Sequence, residues 1–115
     1  MTSNGFERRR APRAVADFAI RVADRGESRP ATVKDLSTHG LCCFHPEPIG
    51  EMTLVGMQLE IPGDGGPHEV QGAVVRCEKC RGQTPPTYEV AVYFTEIRPE
   101  TRRAIAGYVE QRLAV

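Results

Sequence analysis

The chain has 115 residues, with fifteen basic and fifteen acidic side chains and a formal net charge of zero. That length suits one domain with a self-sufficient core. A neutral balance argues against capture of long DNA, RNA or an anionic membrane by a general positive field.

The N-terminus, Met1 to Arg10, carries charge with no apolar segment behind it, so no secretory signal peptide is expected. No run approaches the roughly 18 apolar residues of a membrane span. The expectation is a cytoplasmic protein with reduced thiols and no membrane insertion. Residues 15–23 alternate, with Phe18, Ile20 and Val22 on one face, and read as a first strand. Arg25 to Ser28 is a turn. Residues 30–35 form a second strand with Ala31 and Val33 inward, and Ser37 to Gly40 is a tight corner. Leu41 to His45 is a third strand and Leu54 to Ile61 a fourth, with Met57, Leu59 and Ile61 sharing a face. Pro62 to Gly66 is a hairpin turn. Residues 68–77 and 87–95 are the fifth and sixth strands, joined by a loop from Lys79 to Pro86. The period then changes. Ile105, Tyr108, Val109 and Leu113 recur at helical spacing, Pro99 suits the first helical position, and Glu100 suits the positive end of the helix dipole. The spacing predicts a helix over about 99–113. Six short antiparallel strands and one helix predict a mainly all-β fold, a small barrel with the helix covering an opening or an edge.

Two segments carry chemistry. Thirteen of the fifteen basic residues are Arg, and four of them, Arg8, Arg9, Arg10 and Arg13, fall within the first thirteen positions against a single acid, Glu7. Pro12 biases Ala11 away from the helical region, so this run reads as extended. Alternation then puts Arg9 and Arg13 on one side, roughly 13 Å apart. Arg grips phosphate and the O6/N7 edge of guanine through paired N–H groups, whereas Lys is a point charge. On charge alone the run also fits a solvated basic terminus. The second segment is Asp35-Leu36-Ser37-Thr38-His39-Gly40. Asp35 offers an acceptor-only carboxylate suited to the N1–H and N2–H edge of guanine, Ser37 a small donor and acceptor, and Gly40 a close backbone approach or a positive φ. It also fits a polar turn in which Asp and Ser cap local N–H groups.

In this order and spacing the two segments resemble the PilZ family of bacterial cyclic di-GMP receptors. Arg9-Arg10-Ala11-Pro12-Arg13 matches its Arg-x-x-x-Arg element, and Asp35 to Gly40 matches Asp/Asn-x-Ser-x-x-Gly. The resemblance implies a six-stranded Greek-key barrel with a C-terminal helix. It divides the chain into an arm over 1–14 carrying the Arg motif and a barrel with its helix over 15–115. It implies cyclic di-GMP as ligand, with Arg9 and Arg13 on the phosphates and guanines. Asp35 takes a guanine edge, Ser37 bonds base or phosphate, and Gly40 keeps the floor open. Arg8, Arg10, His39 and Arg76 are secondary candidates. In the family an Arg at the position of Arg8 accompanies two intercalated ligand molecules per site. The basic terminus becomes a segment that orders on ligand binding and passes the signal to a downstream protein. The alternative within the family is an adaptor that works through protein contacts without nucleotide.

Cys77-Glu-Lys-Cys80 has the spacing of half a zinc site, but Cys42 and Cys43 are adjacent in a strand and point to opposite faces. The expectation is no metal and no cofactor, with Cys43 and Cys77 in the core and Cys42 and Cys80 partly exposed. His45 and His68 read as inert turn residues beside prolines. No nucleophile elbow, phosphate-binding Gly loop or His-Glu-x-x-His occurs, so an enzyme is not expected.

Overall fold

The computed structural model describes residues 11–114. Seven strands and one helix follow in chain order: β1 (Ala14–Val15), β2 (Ala19–Asp24), β3 (Glu27–Leu36), β4 (Gly40–His45), β5 (Leu54–Leu59), β6 (His68–Lys79), β7 (Tyr88–Glu96) and α1 (Pro99–Ala114). Neighbours run β3-β2-β5-β6-β7-β4, and a β3–β4 pairing closes the ring into a six-stranded antiparallel barrel. The all-β barrel expected from the sequence is the fold observed.

The first predicted strand is two. β1 pairs with Asp35 and Leu36, whereas β2 pairs with residues 27–32 of the same strand. Between them the chain holds β3 through Ala16 N–H to the Lys34 carbonyl and Val33 N–H to the Phe18 carbonyl. The interruption coincides with a bulge in β3, where the register against β4 slips between Val33 and Asp35. β3 itself starts at Glu27, because Arg25 and Gly26 both adopt positive φ (55° and 81°). That geometry makes a two-residue turn whose twist matches the flanking strands.

Alternation fills the interior. Ile20, Val22, Val33, Leu36, Leu41, Cys43, Leu59, Val70, Val74 and Val90 are all buried in one cluster. Helix α1 covers one end of the barrel with Thr101, Ile105, Tyr108 and Val109. The Tyr108 ring meets Phe18 edge-on at 5.4 Å. Leu113, expected on the apolar stripe, is exposed. The last turn is held instead by Arg112, which lies over the Tyr108 ring and donates to the Val15 carbonyl at 3.1 Å.

Neither turn histidine is a free surface group. His45 is buried at the end of β4 with Nδ1 against the Glu47 backbone. His68 joins the β5–β6 loop to α1, with Nε2 on Asp64 and Nδ1 at 2.7 Å from the Thr101 hydroxyl. The cysteines also divide differently from expectation. Cys42 is buried as well as Cys43, and Cys77 is only partly buried.

Candidate functional site

The outer face of the barrel over β3, β4, β7 and β6 brings together Arg13, Asp35 and Arg76 of the sequence-predicted residues. Strand pairing sets Val15 beside Asp35, Asp35 beside Cys42, Cys42 beside Ala91, and Ala91 beside Arg76. Paired residues point to the same face, so this is one lateral row crossing five strands. Cys42 and Ala91 are buried yet absent from the core cluster. They are the floor of the outer face, shielded by longer side chains around them.

Two bulges shape the edges of that floor. In β3 the register shift lets Lys34 and Asp35 both face outward between the buried Val33 and Leu36. In β6 a second shift does the same for Val75 and Arg76, between Val74 and Cys77. A bulge adds one residue on one strand and re-aims side chains. The pair of them raises a cation on either side of the β4–β7 floor.

The charges are coupled. Arg13 Nη1 donates to Asp35 Oδ1 at 2.5 Å across 22 residues of sequence. Glu89 accepts from Lys34 Nζ at 2.9 Å and faces Arg76 Nη2 at 3.6 Å. The hydrogen bond from Lys34 to Glu89 raises the lysine above its ordinary pKa, so it stays charged. Arg76 Nη2 also approaches Cys42 Sγ at 3.8 Å. Burial, reinforced by Asp35, pushes the Cys42 thiol up, so it stays neutral.

The Ser37–Gly40 corner closes the end of β3 against β4. Ser37 is buried, its N–H donates to the Gly40 carbonyl at 2.9 Å, and its Oγ accepts from the His39 N–H at 3.1 Å. His39 is exposed at the tip, while its carbonyl accepts from Phe94 N–H. Arg102 of α1 holds the corner by donating to the Thr38 carbonyl at 2.8 Å. Gly40 is required by close approach, not by a positive φ. A Cβ there would lie 2.3 Å from the Val92 carbonyl oxygen.

Arg13, Asp35 and Arg76 thus share the face, with Ser37, His39 and Gly40 forming its corner. Arg8, Arg9 and Arg10 lie outside the described residues. Lys34, Cys42, Glu89, Ala91 and Tyr93 belong to the same surface and were missed. Strand alternation gave their facing, but the β4–β7 register that lines them up is a long-range pairing. A groove of about 730 Å3 lies along the outer faces of β2, β5 and β6, with Arg21, Gln58, Glu69 and Arg98 on its walls; it shares Phe94 and Arg102 with the corner's supports and includes none of Arg13, Asp35, Ser37, His39, Gly40 and Arg76. Among the described residues there is no cluster of three His, Cys, Asp or Glu able to hold a metal ion, and no helix long and apolar enough to cross a membrane.

Residues 7–111 match the family model of the PilZ domain. Among curated proteins none matches by sequence. Solved structures share the fold. The inhibitor of motility MotI/DgrA of Bacillus subtilis superimposes with a TM-score of 0.79 at 14% identity, over 92% of this chain and 51% of that one. The PilZ domain of Escherichia coli YcgR, solved with cyclic di-GMP, gives 0.72 at 15% identity, over 93% and 92%. The MrkH–cyclic di-GMP complex of K. pneumonia gives 0.72 at 19% identity, over 92% and 52%. The chain therefore spans about half the length of the MotI and MrkH structures.

Proposed function

We propose that the chain, which belongs to the PilZ domain family, is a receptor for cyclic di-GMP that binds it on the β3–β4–β7–β6 face. The observation that carries this reading is the Arg13–Asp35 ion pair. It joins the two motif halves, which are 22 residues apart in sequence, beside the Ser37–Gly40 corner. A guanidinium has five N–H donors, and Asp35 engages only Nη1. Among the described residues the remaining donors of Arg13, which is about half exposed, have no partner, and they take a phosphate in the bidentate manner. Asp35 thereby presents Arg13 and keeps a second carboxylate oxygen for a guanine N1–H or N2–H.

Arg76 meets the ligand from the opposite edge, above the flat Cys42 and Ala91 floor. Ser37 and Gly40 act through the corner they build, which sets the height of the floor's end. Arg9, with Arg8 and Arg10, reaches the ligand from the arm that precedes Arg13. Closure of residues 6–14 over the barrel turns ligand binding into a new composite surface, which a partner protein reads. The site takes two stacked ligand molecules, each flat face covering the next.

Calorimetric titration with cyclic di-GMP tests this directly. Wild-type protein should bind with a stoichiometry of two. Arg13→Ala should weaken binding about ten- to a hundredfold, the loss of a charge-assisted hydrogen bond. Wild-type protein that takes up no heat, or an Arg13→Ala variant of unchanged affinity, would end the assignment. Hydrogen exchange of the arm with and without ligand reads the closure step, and unchanged protection over residues 6–14 removes that part alone.

A further inference from the structure

Six large apolar residues are exposed among the described residues, and four of them, Met52, Leu54, Val75 and Tyr93, converge on one place. Leu54 pairs with Ala73, and Ala73 pairs with Tyr93, which pairs with Gly40. Met52 joins them by donating its N–H to the Val74 carbonyl, and Val75 stands outward next to Arg76 at the β6 bulge. Single exposed apolar residues need no explanation, but a contiguous group does.

The group is continuous with the floor described above. Tyr93 lies two residues along β7 from Ala91, on the same face and about 7 Å away at strand geometry. It stands beside Gly40, which has no side chain to cover the ring from the β4 side. At the other end of the floor Phe44 pairs with Glu89. The floor is thus ended by an aromatic at each side, about 13 Å apart over four residues of β4. Phe44 is half-buried, whereas Tyr93 is 56% exposed.

We propose that Tyr93, backed by Leu54 and Val75, is an apolar shelf on which a purine base of the bound cyclic dinucleotide stacks. The inference rests on the proposed ligand and adds a base contact to the phosphate and edge contacts. Its chemistry differs from theirs. Arg13, Arg76 and Asp35 supply charge and hydrogen bonds, which any small dianion recruits in part. An aromatic face one step from those cations selects for a dianion that also carries planar bases. A base on a cyclic dinucleotide is tethered within a few bonds of its phosphate, so a ligand held over Cys42 and Ala91 brings a base to Tyr93 without further movement of the barrel.

The chain contains three Tyr and no Trp, so tyrosine emission is readable without tryptophan once absorption by the added guanine bases is corrected for. Cyclic di-GMP is titrated into wild type, Tyr93→Ala and Tyr93→Phe, by calorimetry and by fluorescence, with circular dichroism as the check on folding. Tyr93→Ala should weaken binding roughly five- to a hundredfold, the range for losing one aromatic–base stack. Tyr93→Phe keeps a π-face and should keep wild-type affinity. Ligand should quench wild-type emission, and Tyr93→Phe should lose most of that quench. Wild-type binding with an undiminished Tyr93→Ala, or a quench that survives in Tyr93→Phe, overturns the shelf while leaving the receptor reading intact. Wild-type protein that does not bind at all overturns both.

Discussion

Gly40→Ala tests whether the corner and the barrel are one construction. The added Cβ would sit 2.3 Å from the Val92 carbonyl oxygen and 3.3 Å from Tyr93 Cα, whereas real Cβ contacts stay beyond 3.0 Å. The atom it meets is backbone, so no side-chain rotation relieves the contact. β4 must move from β7 by most of an ångström, which stretches adjacent ladder bonds past the usual limit of about 3.2 Å. Overpacking costs about 1–3 kcal/mol, and a weakened backbone bond adds about 0.5–1.5 kcal/mol. The stiffer unfolded chain returns about 0.4–1 kcal/mol. The net is a destabilisation of about 2 kcal/mol, or roughly 8 °C in Tm for a domain of this size. Gly56→Ala is the control, because a Cβ there meets nothing within 4 Å. Urea melts of both variants give the comparison. The Gly40 carbonyl also accepts from both Ser37 N–H and Ser37 Oγ, so cyclic di-GMP affinity should fall in Gly40→Ala and hold in Gly56→Ala. Two variants of equal stability would refute the close-approach argument.

Thr101→Val removes the hydroxyl that His68 Nδ1 bonds at the foot of α1. It should cost about 1–3 kcal/mol, the penalty for leaving a buried polar partner unmade, while Thr101→Ser retains most of the stability in thermal melts. Burial raises the Cys43 thiol from its ordinary 9.0 to about 12, so above pH 9 the unfolded chain releases a proton that the native state keeps. Stability from this group is intact below pH 9 and declines by about 1.4 kcal/mol per pH unit until the folded thiol ionises. Urea midpoints at pH 8 and pH 10 should separate further for wild type than for Cys43→Ala, and equal separations would contradict the burial argument. Cys42 and Cys43 should both react more slowly with a thiol reagent at pH 8 than Cys80, which is partly exposed.

The barrel was legible because its strands alternate. Phe18, Ile20 and Val22, Ala31 and Val33, and Met57, Leu59 and Ile61 all face inward as their spacing requires. The helix start was legible because Pro99 fits only a first turn. The division of β1 from β2 was not, because an uninterrupted alternation over 15–23 carries no mark of a bulge that lies in the partner strand. Leu113 was misplaced because helical period says which residues share a face and not how far the covered surface extends. The histidines were misread for the same kind of reason. Proline neighbours identified the turns around His45 and His68 but not the Glu47 backbone and the Thr101 hydroxyl that occupy their rings.

The two motif halves were legible as residue types, and their meeting place was not. Strict alternation would send Lys34 and Asp35 to opposite faces, and likewise Val75 and Arg76. Each bulge cancels one step of the alternation, and both lie against the same β4–β7 floor. Without the β3 bulge, a β3 that keeps Val33 inside would point Asp35 into the core, away from Arg13. Without the β6 bulge, Val75 would stand outside alone and Arg76 would turn inward at a level lined by apolar side chains. The two bulges that flank this floor therefore bring an acid from one strand and a base from another onto one surface. That surface carries charge at its edges and small, neutral residues at its centre, which is the arrangement a flat dianion requires and a long polyanion does not.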